Sequence, residues 1–255
     1  MPFLGAGRRA NVSQQGEVRA IQTVSLSFYR FDAATDRLWA FAMMGLARPA
    51  LRRIPGLEFW KLCGAGTGEG FTPLPDTGVC AILAAWPDRA TAEARQAETP
   101  LFRRYRARAA ESWTIYLAPV SCRGAWSGVA PFRTTEDVPA GPIAALTRAT
   151  LRLPVALRFW RRVPDISAMI GQDRNVLFKI GIGEVPLLHQ VTFSIWPDAA
   201  AMARFARTDG PHGRAIRAVR DGGWFREELY ARFRVLGDSG TWGGTRPLDS
   251  RERAA

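Results

Sequence analysis

The chain contains two histidines, His189 and His212, and both lie in its second half. A neutral imidazole is the side chain that most often binds an iron cofactor from one side. His212 is followed by Arg214 and Arg217, whose guanidinium groups could pair with carboxylates of such a cofactor. The sequence therefore makes His212 a candidate metal ligand and Arg214 and Arg217 candidate cofactor-binding residues. A helix-capping or solvated histidine is the alternative interpretation.

The cysteines Cys63, Cys80 and Cys122 all lie in the first half, without a close pair or a C-x-x-C spacing. This odd number favours reduced thiols in a cytoplasmic protein over a disulfide framework. The glycine-rich segment 64–70 is reminiscent of a phosphate cradle, but a further strand and not a helix is predicted after it. A hairpin or a strand bulge is the more economical interpretation. Nucleophile elbows, paired-histidine zinc motifs and Walker lysines are absent from the sequence.

The elements that must position these residues are duplicated. Trp86-Pro87-Asp88 recurs as Trp196-Pro197-Asp198, each after an apolar run and before an Ala- and Arg-rich helical stretch. Repetition of order and spacing over about a hundred residues indicates a tandem duplication. The position that matches His212 in the first copy is Leu101, so the two copies have diverged there.

The two lysines of the chain, Lys61 and Lys179, stand in similar contexts and are predicted to be equivalent. Each precedes a glycine motif that ends in a glutamate, Glu69 in the first copy and Glu184 in the second. Alternating apolar residues and helical composition predict the same order of elements twice. These are strands at 21–31, 57–63, 78–86, 113–122, 143–152, 175–182, 187–196 and 227–236, with helices at 36–53, 88–111, 154–170 and 198–221.

The order β-α-β-β-α-β is that of the ferredoxin-like unit, whose sheet carries helices on one face only. Two copies can cover each other's open face. We therefore predict an α+β fold in which a duplicated ferredoxin-like unit forms a pseudo-dimeric α+β barrel. The predicted boundaries are a disordered N-terminal tail (1–20), two repeats (21–130 and 140–236) and a C-terminal tail (237–255).

The charge is strongly positive, with 35 Lys and Arg against 23 Asp and Glu, for a net charge of +12. No nucleic-acid-binding module is recognisable, so we expect no nucleic acid as partner. No 18-residue stretch lacks a charge, which argues against a membrane-spanning helix. Segment 38–47 is uncharged, mostly apolar and bracketed by Arg37 and Arg48. Deep burial or contact with an anionic membrane surface would each explain it; the second predicts peripheral association with the inner membrane.

Several blocks resemble the spheroidene monooxygenase family, the carotenoid 2-ketolases of purple photosynthetic bacteria. They are QTVSLSF (22–28), DRLWAF (36–41), FWKLCG (59–64), GTGEGFTP (66–73), RARAAESW (106–113), RGAWSG (123–128) and LTRAT (146–150). The resemblance covers about residues 21–236. It implies haem, molecular oxygen and electrons from a ferredoxin, used to place a keto group at C2 of an acyclic methoxylated carotenoid such as spheroidene. It also implies the dimeric α+β barrel superfamily, in agreement with the duplication.

In haem-binding members of that superfamily the axial histidine commonly lies on the second helix of the unit, where His212 lies here. His189 is the reserve ligand, and the three cysteines follow as thiolate candidates. An apolar tunnel for the polyene is predicted to use Trp39, Phe41, Phe178 and Phe193, for which plain core packing is the alternative. Two other functions remain open at this point: a non-catalytic haem- or lipophile-binding barrel, and a cofactor-free oxygenase of the same fold.

Overall fold

Two four-stranded units follow each other in the computed structural model, which describes residues 20–68, 72, 74–136, 138, 140–155, 160, 176–207 and 223–249. The first comprises β1 (Thr23–Arg30), α1 (Ala34–Leu46), α2 (Arg48–Leu51), β2 (Phe59–Gly66), β3 (Pro75–Trp86), α3 (Arg89–Glu98), α4 (Pro100–Arg108) and β4 (Glu111–Gly124). The second comprises β5 (Ile143–Leu151), a 3-10 turn (Leu153–Val155), β6 (Phe178–Gly183), β7 (His189–Trp196), α5 (Ala199–Arg207) and β8 (Phe225–Gly240).

The eight strands close into one antiparallel barrel in the order β1-β3-β2-β6-β7-β5-β8-β4. Each half contributes the ferredoxin-like order, β4-β1-β3-β2 and β8-β5-β7-β6. The halves join through two seams of unequal length. Eleven residue pairs run along β4 and β8, whereas β2 and β6 share Gly64↔Gly183 and Ala65↔Ile182 alone. The predicted pseudo-dimeric α+β barrel is confirmed.

Alternation along the strands explains the two layers of the core. Residues such as Val24, Leu26 and Phe28 point into the barrel, where they pack with inward residues of the other strands. Their neighbours in sequence point outward; Tyr29, for example, packs under the first-half helices with Trp86 and Tyr105. The smaller outer cluster of the second half contains Ile143, Trp196, Ala201 and Met202.

The duplicated Trp-Pro-Asp turns start the helices that follow β3 and β7. Asp88 accepts a hydrogen bond from the amide of Thr91 at 2.7 Å, and Asp198 accepts one from the amide of Ala201 at 2.7 Å. Both aspartates therefore act as helix N-caps. Pro100 separates α3 from α4, as predicted, because a proline lacks the amide that would continue the helix.

The prediction that Lys61 and Lys179 are equivalent is wrong. Lys61 pairs with Leu83, three residues before Trp86, whereas Lys179 pairs with Ser194, two residues before Trp196. Because alternate residues of a strand face opposite ways, this one-residue offset sends Lys61 into the barrel and Lys179 to its outer face. By register the counterpart of Lys61 is Ile180.

Other differences concern the ends of elements. The register shifts between Gly64 and Ala65, so the glycine-rich segment begins with the predicted strand bulge. Strand β8 runs to Gly240, beyond the expected boundary at 236, because its last residues pair with β4. The N-terminal tail to residue 19, residues 250–255 and most of the predicted helix at 154–170 lie outside the described residues. No described helix is long and apolar enough to cross a bilayer.

Candidate functional site

A cavity of about 370 Å³ opens where the two halves meet at the short β2–β6 seam. Its walls come from both halves. The first half contributes Ala40, Phe41 and Met44 of α1 and the facing ends of β2 and β3, and the second half contributes Trp160, Ile182–Leu187, His189 and Gln190. The lining is mostly apolar, and Glu184 and His189 place polar groups in its wall. A cavity of this kind suits an apolar ligand that a few polar groups orient.

Glu184 is the centre of a polar cluster that we define as Lys61, Trp126, Arg148, Glu184 and His189. One carboxylate oxygen of Glu184 accepts from Lys61 Nζ at 2.9 Å, and the other accepts from Trp126 Nε1 at 2.6 Å. Arg148 approaches that second oxygen at 4.0 Å, and its side chain is 2% exposed. All five side chains project from the inner face of the barrel or from the turn that closes it.

Arg148 is also paired with Glu227, whose carboxylate in turn accepts from the amides of Ser127 and Gly128 at 3.1 and 2.6 Å. Burial alone would raise the pKa of Glu227, but these two amides and the Arg148 guanidinium outweigh it and lower the pKa. Lys61 also donates to Ser127 Oγ, and its ammonium lies 5.6 Å from the centre of the Trp126 ring. The buried Arg148 and the partly buried Lys61 are thus neutralised by two carboxylates at this end of the barrel.

His189 borders both the polar cluster and the cavity. Its Nδ1 lies 3.6 Å from a Glu184 oxygen and has no hydrogen-bond partner in the described part of the chain. Burial, followed by the positive charges of Arg148 and Lys61, lowers the pKa of this imidazole and outweighs the opposing effect of Glu184. The lowered pKa favours the neutral imidazole, whose Nδ1 is buried without a hydrogen-bond partner among the described residues.

The opposite end of the barrel has a different chemistry at the equivalent positions. By strand register Lys61 corresponds to Ile180, Arg148 to Phe28 and His189 to Val79. Phe28 stacks on Trp113 with ring centres 5.9 Å apart, and Trp113 meets the edge of Phe178 at 4.6 Å. One end of the barrel is an ion cluster and the other an aromatic cluster, so duplication has been followed by specialisation.

The outer face of the second-half sheet differs from that of the first in the size of its side chains. Ala149, Gly181 and Thr192 stand at the positions that Tyr29, Leu62 and Ile82 hold in the first half. In the first half these bulky residues fill the space beneath the helices. We call Ala149, Gly181 and Thr192 the small-residue wall. On β8, Glu228 pairs with Ala149 of the wall, and outward-facing Arg232 and Arg234 pair with Ala145 and Ile143, four and six residues away along β5.

The residues predicted from the sequence fall in different places. Phe41 lines the cavity, whereas Phe178 and Phe193 lie in the barrel core with Phe28. Trp39 lies outside the barrel, 5.0 Å from the Tyr105 ring. His212, Arg214 and Arg217 lie outside the described residues.

The cysteines are placed as inert thiols. Burial raises the pKa of Cys63, of Cys80 (to about 12) and of Cys122. Among the described residues no group of three or more His, Cys, Asp or Glu side chains is arranged to hold a metal ion. A thiolate ligand is therefore the less favoured choice.

Arg148 and Glu227 were not singled out from the sequence, and Glu184 was named only as the end of a glycine motif. Arg148 sits in an alternating strand pattern at an inward position, and this charged residue on an apolar face was the one available signal. Its partners are 36 and 79 residues away along the chain, so the pairing depends on barrel closure.

Comparison with known proteins identifies the family. The chain is 53% identical to the spheroidene monooxygenase of Rhodobacter capsulatus over 230 residues, which cover 89% of this chain and 95% of that protein. It is 51% identical to the Cereibacter sphaeroides enzyme of the same name, covering 89% of this chain and 71% of that protein. The Rubrivivax gelatinosus enzyme is 37% identical, with 84% and 82% covered.

The chain belongs to the spheroidene monooxygenase family. It is accordingly an oxidoreductase of the monooxygenase class. No family model matches the chain. Among solved structures, an aldoxime dehydratase superposes with a TM-score of 0.58 at 13% identity, covering 90% of this chain and 88% of that one. A likeness at this identity shows the fold alone, and it agrees with the duplicated barrel.

Proposed function

We propose that the protein is a haem-dependent carotenoid monooxygenase that converts spheroidene-type acyclic carotenoids to their C2 ketones, using O₂ and electrons from a reduced ferredoxin. The observation that carries the proposal is the identity of 53% and 51% to two spheroidene monooxygenases over nearly the whole chain. Two hydroxylations at one carbon would give a geminal diol, which loses water to become the ketone. Each hydroxylation consumes one O₂, two electrons and two protons, and releases one water.

Haem is proposed because a methylene carbon at the end of a polyene is too unreactive for amino-acid side chains alone to oxidise. The haem would supply the activation of O₂. The small-residue wall supports this choice, because Ala149, Gly181 and Thr192 are smaller than their first-half counterparts Tyr29, Leu62 and Ile82 and would let a flat ligand approach this face of the sheet. His212 would hold the iron, and Arg214 and Arg217 would pair with the propionates.

The cavity would receive one end of the substrate. Its volume of about 370 Å³ is near the lower limit for small-molecule sites, so it suits one terminus of a long polyene. Gly183 lines the cavity, and Gly181, two residues back on the same face of β6, belongs to the small-residue wall. A substrate end in the cavity would therefore lie next to the proposed cofactor face.

The chain's own residues have definable tasks in this reaction. The apolar walls, including Phe41, Met44 and Ile182, exclude water from the reacting end. His189, which lines the cavity, can hold a proton at its buried Nδ1, 3.6 Å from Glu184. The peripheral membrane association expected from the sequence would suit a lipid-soluble polyene substrate, but it is a proposal separate from the reaction.

The test compares His212→Ala with His189→Ala after expression with haem. Loss of the Soret band and of bound haem in the first variant, with retention in the second, is the expected result. Loss in the second alone would transfer the ligand role to His189. A strongly red-shifted Soret band of the reduced CO complex, typical of thiolate ligation, would exclude both histidines. Ketone formation without any Soret band would favour the cofactor-free oxygenase.

A further inference from the structure

Helix α1 exposes an apolar face to solvent. Leu38, Phe41 and Leu46 are 70%, 72% and 71% exposed. Together with exposed Ala42 and Gly45 they follow the i, i+3, i+4, i+7, i+8 spacing of a single helix face. The opposite face carries Ala40 and Met43 and is buried. A surface helix normally turns polar residues to water, so this apolar face needs a partner.

The exposed face stands at the mouth of the cavity. Phe41 lines the cavity, and so do Val185 and Leu187 of the β6–β7 loop, which are 40% and 44% exposed. The loop is held in place by Trp160, whose Nε1 donates to the carbonyl oxygen of Leu187 at 3.0 Å. We define Leu38, Phe41, Leu46, Val185 and Leu187 as the apolar rim.

Positive charge flanks the apolar rim. Arg48, Arg52 and Arg53 follow α1 directly, are exposed, and form no salt bridge with a described residue. The carboxylate of α1, Asp36, lies near the other end of the helix and is neutralised by Arg108 at 2.9 Å. An apolar face with exposed arginines at its border matches a lipid surface, where acyl chains lie beneath anionic headgroups.

We propose that the apolar rim inserts into the surface of an anionic bilayer, so that the cavity opens directly onto the acyl-chain region. The cavity then takes an apolar chain end from the membrane without passage through water. The identity of that cargo rests on the proposed function, whereas the bilayer contact does not. The two are therefore tested by separate measurements.

Vesicle co-sedimentation without any carotenoid tests the contact. The protein should bind phosphatidylcholine vesicles that contain phosphatidylglycerol, and Leu38→Gln with Leu46→Gln should weaken this binding at least about tenfold, as loss of buried apolar area requires. The matched control is Val129→Gln, since Val129 is 50% exposed but lies on the Trp126–Val129 turn. Equal binding by the double variant and the parent would overturn the proposal.

A second pair of variants separates local from global charge. Arg52→Gln with Arg53→Gln should weaken binding to anionic vesicles about thirtyfold, from about 1 kcal/mol per arginine near the surface. Arg103→Gln with Arg104→Gln removes the same charge from an adjacent, exposed pair on α4 and should have a much smaller effect. If both pairs of substitutions weaken binding equally, net charge alone attracts the protein to the vesicles. That result would contradict a specific docking face.

Insertion depth gives a direct readout. The added fluorescence of Phe41→Trp should be quenched by lipids with brominated acyl chains, whereas that of Val129→Trp should not.

Turnover then distinguishes the two proposals: Leu38→Gln with Leu46→Gln should keep activity on detergent-dispersed carotenoid and lose it on carotenoid in vesicles. Absence of turnover in the parent, with vesicle binding intact, would refute the proposed function alone. Quenching at neither position, with self-association in solution, would make the rim an interface between copies.

Discussion

Glu111 and Glu227 cap two turns related by the pseudo-twofold axis of the barrel. Glu111 accepts from the amides of Gly243 and Gly244 at 2.9 and 2.8 Å, and Glu227 accepts from those of Ser127 and Gly128 at 3.1 and 2.6 Å. The geometry is the same at both ends, but the cations differ. Arg30, the partner of Glu111, is 38% exposed at the side chain, whereas Arg148, the partner of Glu227, is 2% exposed.

Replacement of the two glutamates should therefore have unequal effects. Glu227→Gln leaves the Arg148 guanidinium buried beside a neutral amide and should lower the free energy of unfolding by about 3 kcal/mol. Glu111→Gln breaks a pair with a partly exposed arginine and should cost about 1 kcal/mol. Urea denaturation of both variants measures the difference. Equal losses would contradict the assignment of a buried ion cluster to one end.

The same carboxylates should make stability depend on acidity. The pKa of each is lowered in the folded chain: burial opposes the shift, but the backbone amides and then the arginine outweigh it. A group with a lowered folded pKa stabilises the fold above its unfolded pKa, and this contribution is lost as the pH falls through the folded pKa. The stability gap between the parent and Glu227→Gln should be constant above pH 4.5, the ordinary value, and shrink below it. A gap that widens as the pH falls would mean that the pKa of Glu227 is raised in the folded chain, which contradicts the structure.

Lys61 and Glu184 should behave as a coupled pair. Either single replacement, Lys61→Ile or Glu184→Ala, leaves a partner charge poorly compensated in the barrel and should cost about 3 kcal/mol. Isoleucine is the residue type found at the position equivalent to Lys61, Ile180, at the aromatic end. The double variant should be more stable than the sum of the singles predicts, by at least about 1 kcal/mol. Simple additivity in the double-mutant cycle would show that the two charges act independently.

Gly124 and Gly240 end the two long strands with φ angles of +94° and +90°. A Cβ on either would overlap the carbonyl oxygen of the facing strand, Glu228 in one case and Ser112 in the other. Alanine at either position should destabilise the fold by similar amounts, about 2–4 kcal/mol. Gly45→Ala is the contrasting control, because open space surrounds that position in α1. It should increase the free energy of unfolding by about 0.5–1 kcal/mol and so raise the melting temperature slightly.

Thiol labelling should distinguish the three cysteines. Cys63 and Cys80 are buried, and Cys122 is partly exposed. At pH 8 a thiol reagent should modify Cys122 first and slowly, because burial also raises its pKa. The other two should react at the rate of unfolding. Rapid labelling of Cys63 in the native protein, followed by mass spectrometry of peptides, would contradict its place inside the barrel.

The fold was accessible from the sequence because its signals are local and repeated. The Trp-Pro-Asp turns, Pro100 and the alternating strands each specify a local conformation, and the duplication states it twice. Strand register was less accessible: the contexts of Lys61 and Lys179 look alike in sequence, yet a one-residue offset separates their faces. A period of two residues makes such an error invisible until the pairing with Trp86 and Trp196 is known.

Only part of the candidate site could be predicted from the sequence, because most of it depends on contacts between residues that are far apart along the chain. Phe41 was named from the sequence, and it borders the cavity. The polar cluster was not named, because Lys61, Arg148 and Glu184 come from three strands or strand ends far apart in sequence. Sequence composition could suggest that segment 38–47 was either buried or at a membrane. The structure shows that its two faces differ, with Met43 buried and Phe41 exposed.

The fusion of two units into one polypeptide has a consequence for how this barrel can evolve. In a homodimer of a single ferredoxin-like unit, every substitution would appear at both ends of the barrel at once. A lysine at the position of Lys61 would then also stand where Ile180 packs beside the aromatic rings. Covalent linkage removes that constraint, so charged side chains can be selected at one end of the barrel and aromatic side chains at the other. A homodimeric ancestor would have carried the same kind of side chain, charged or aromatic, at both ends.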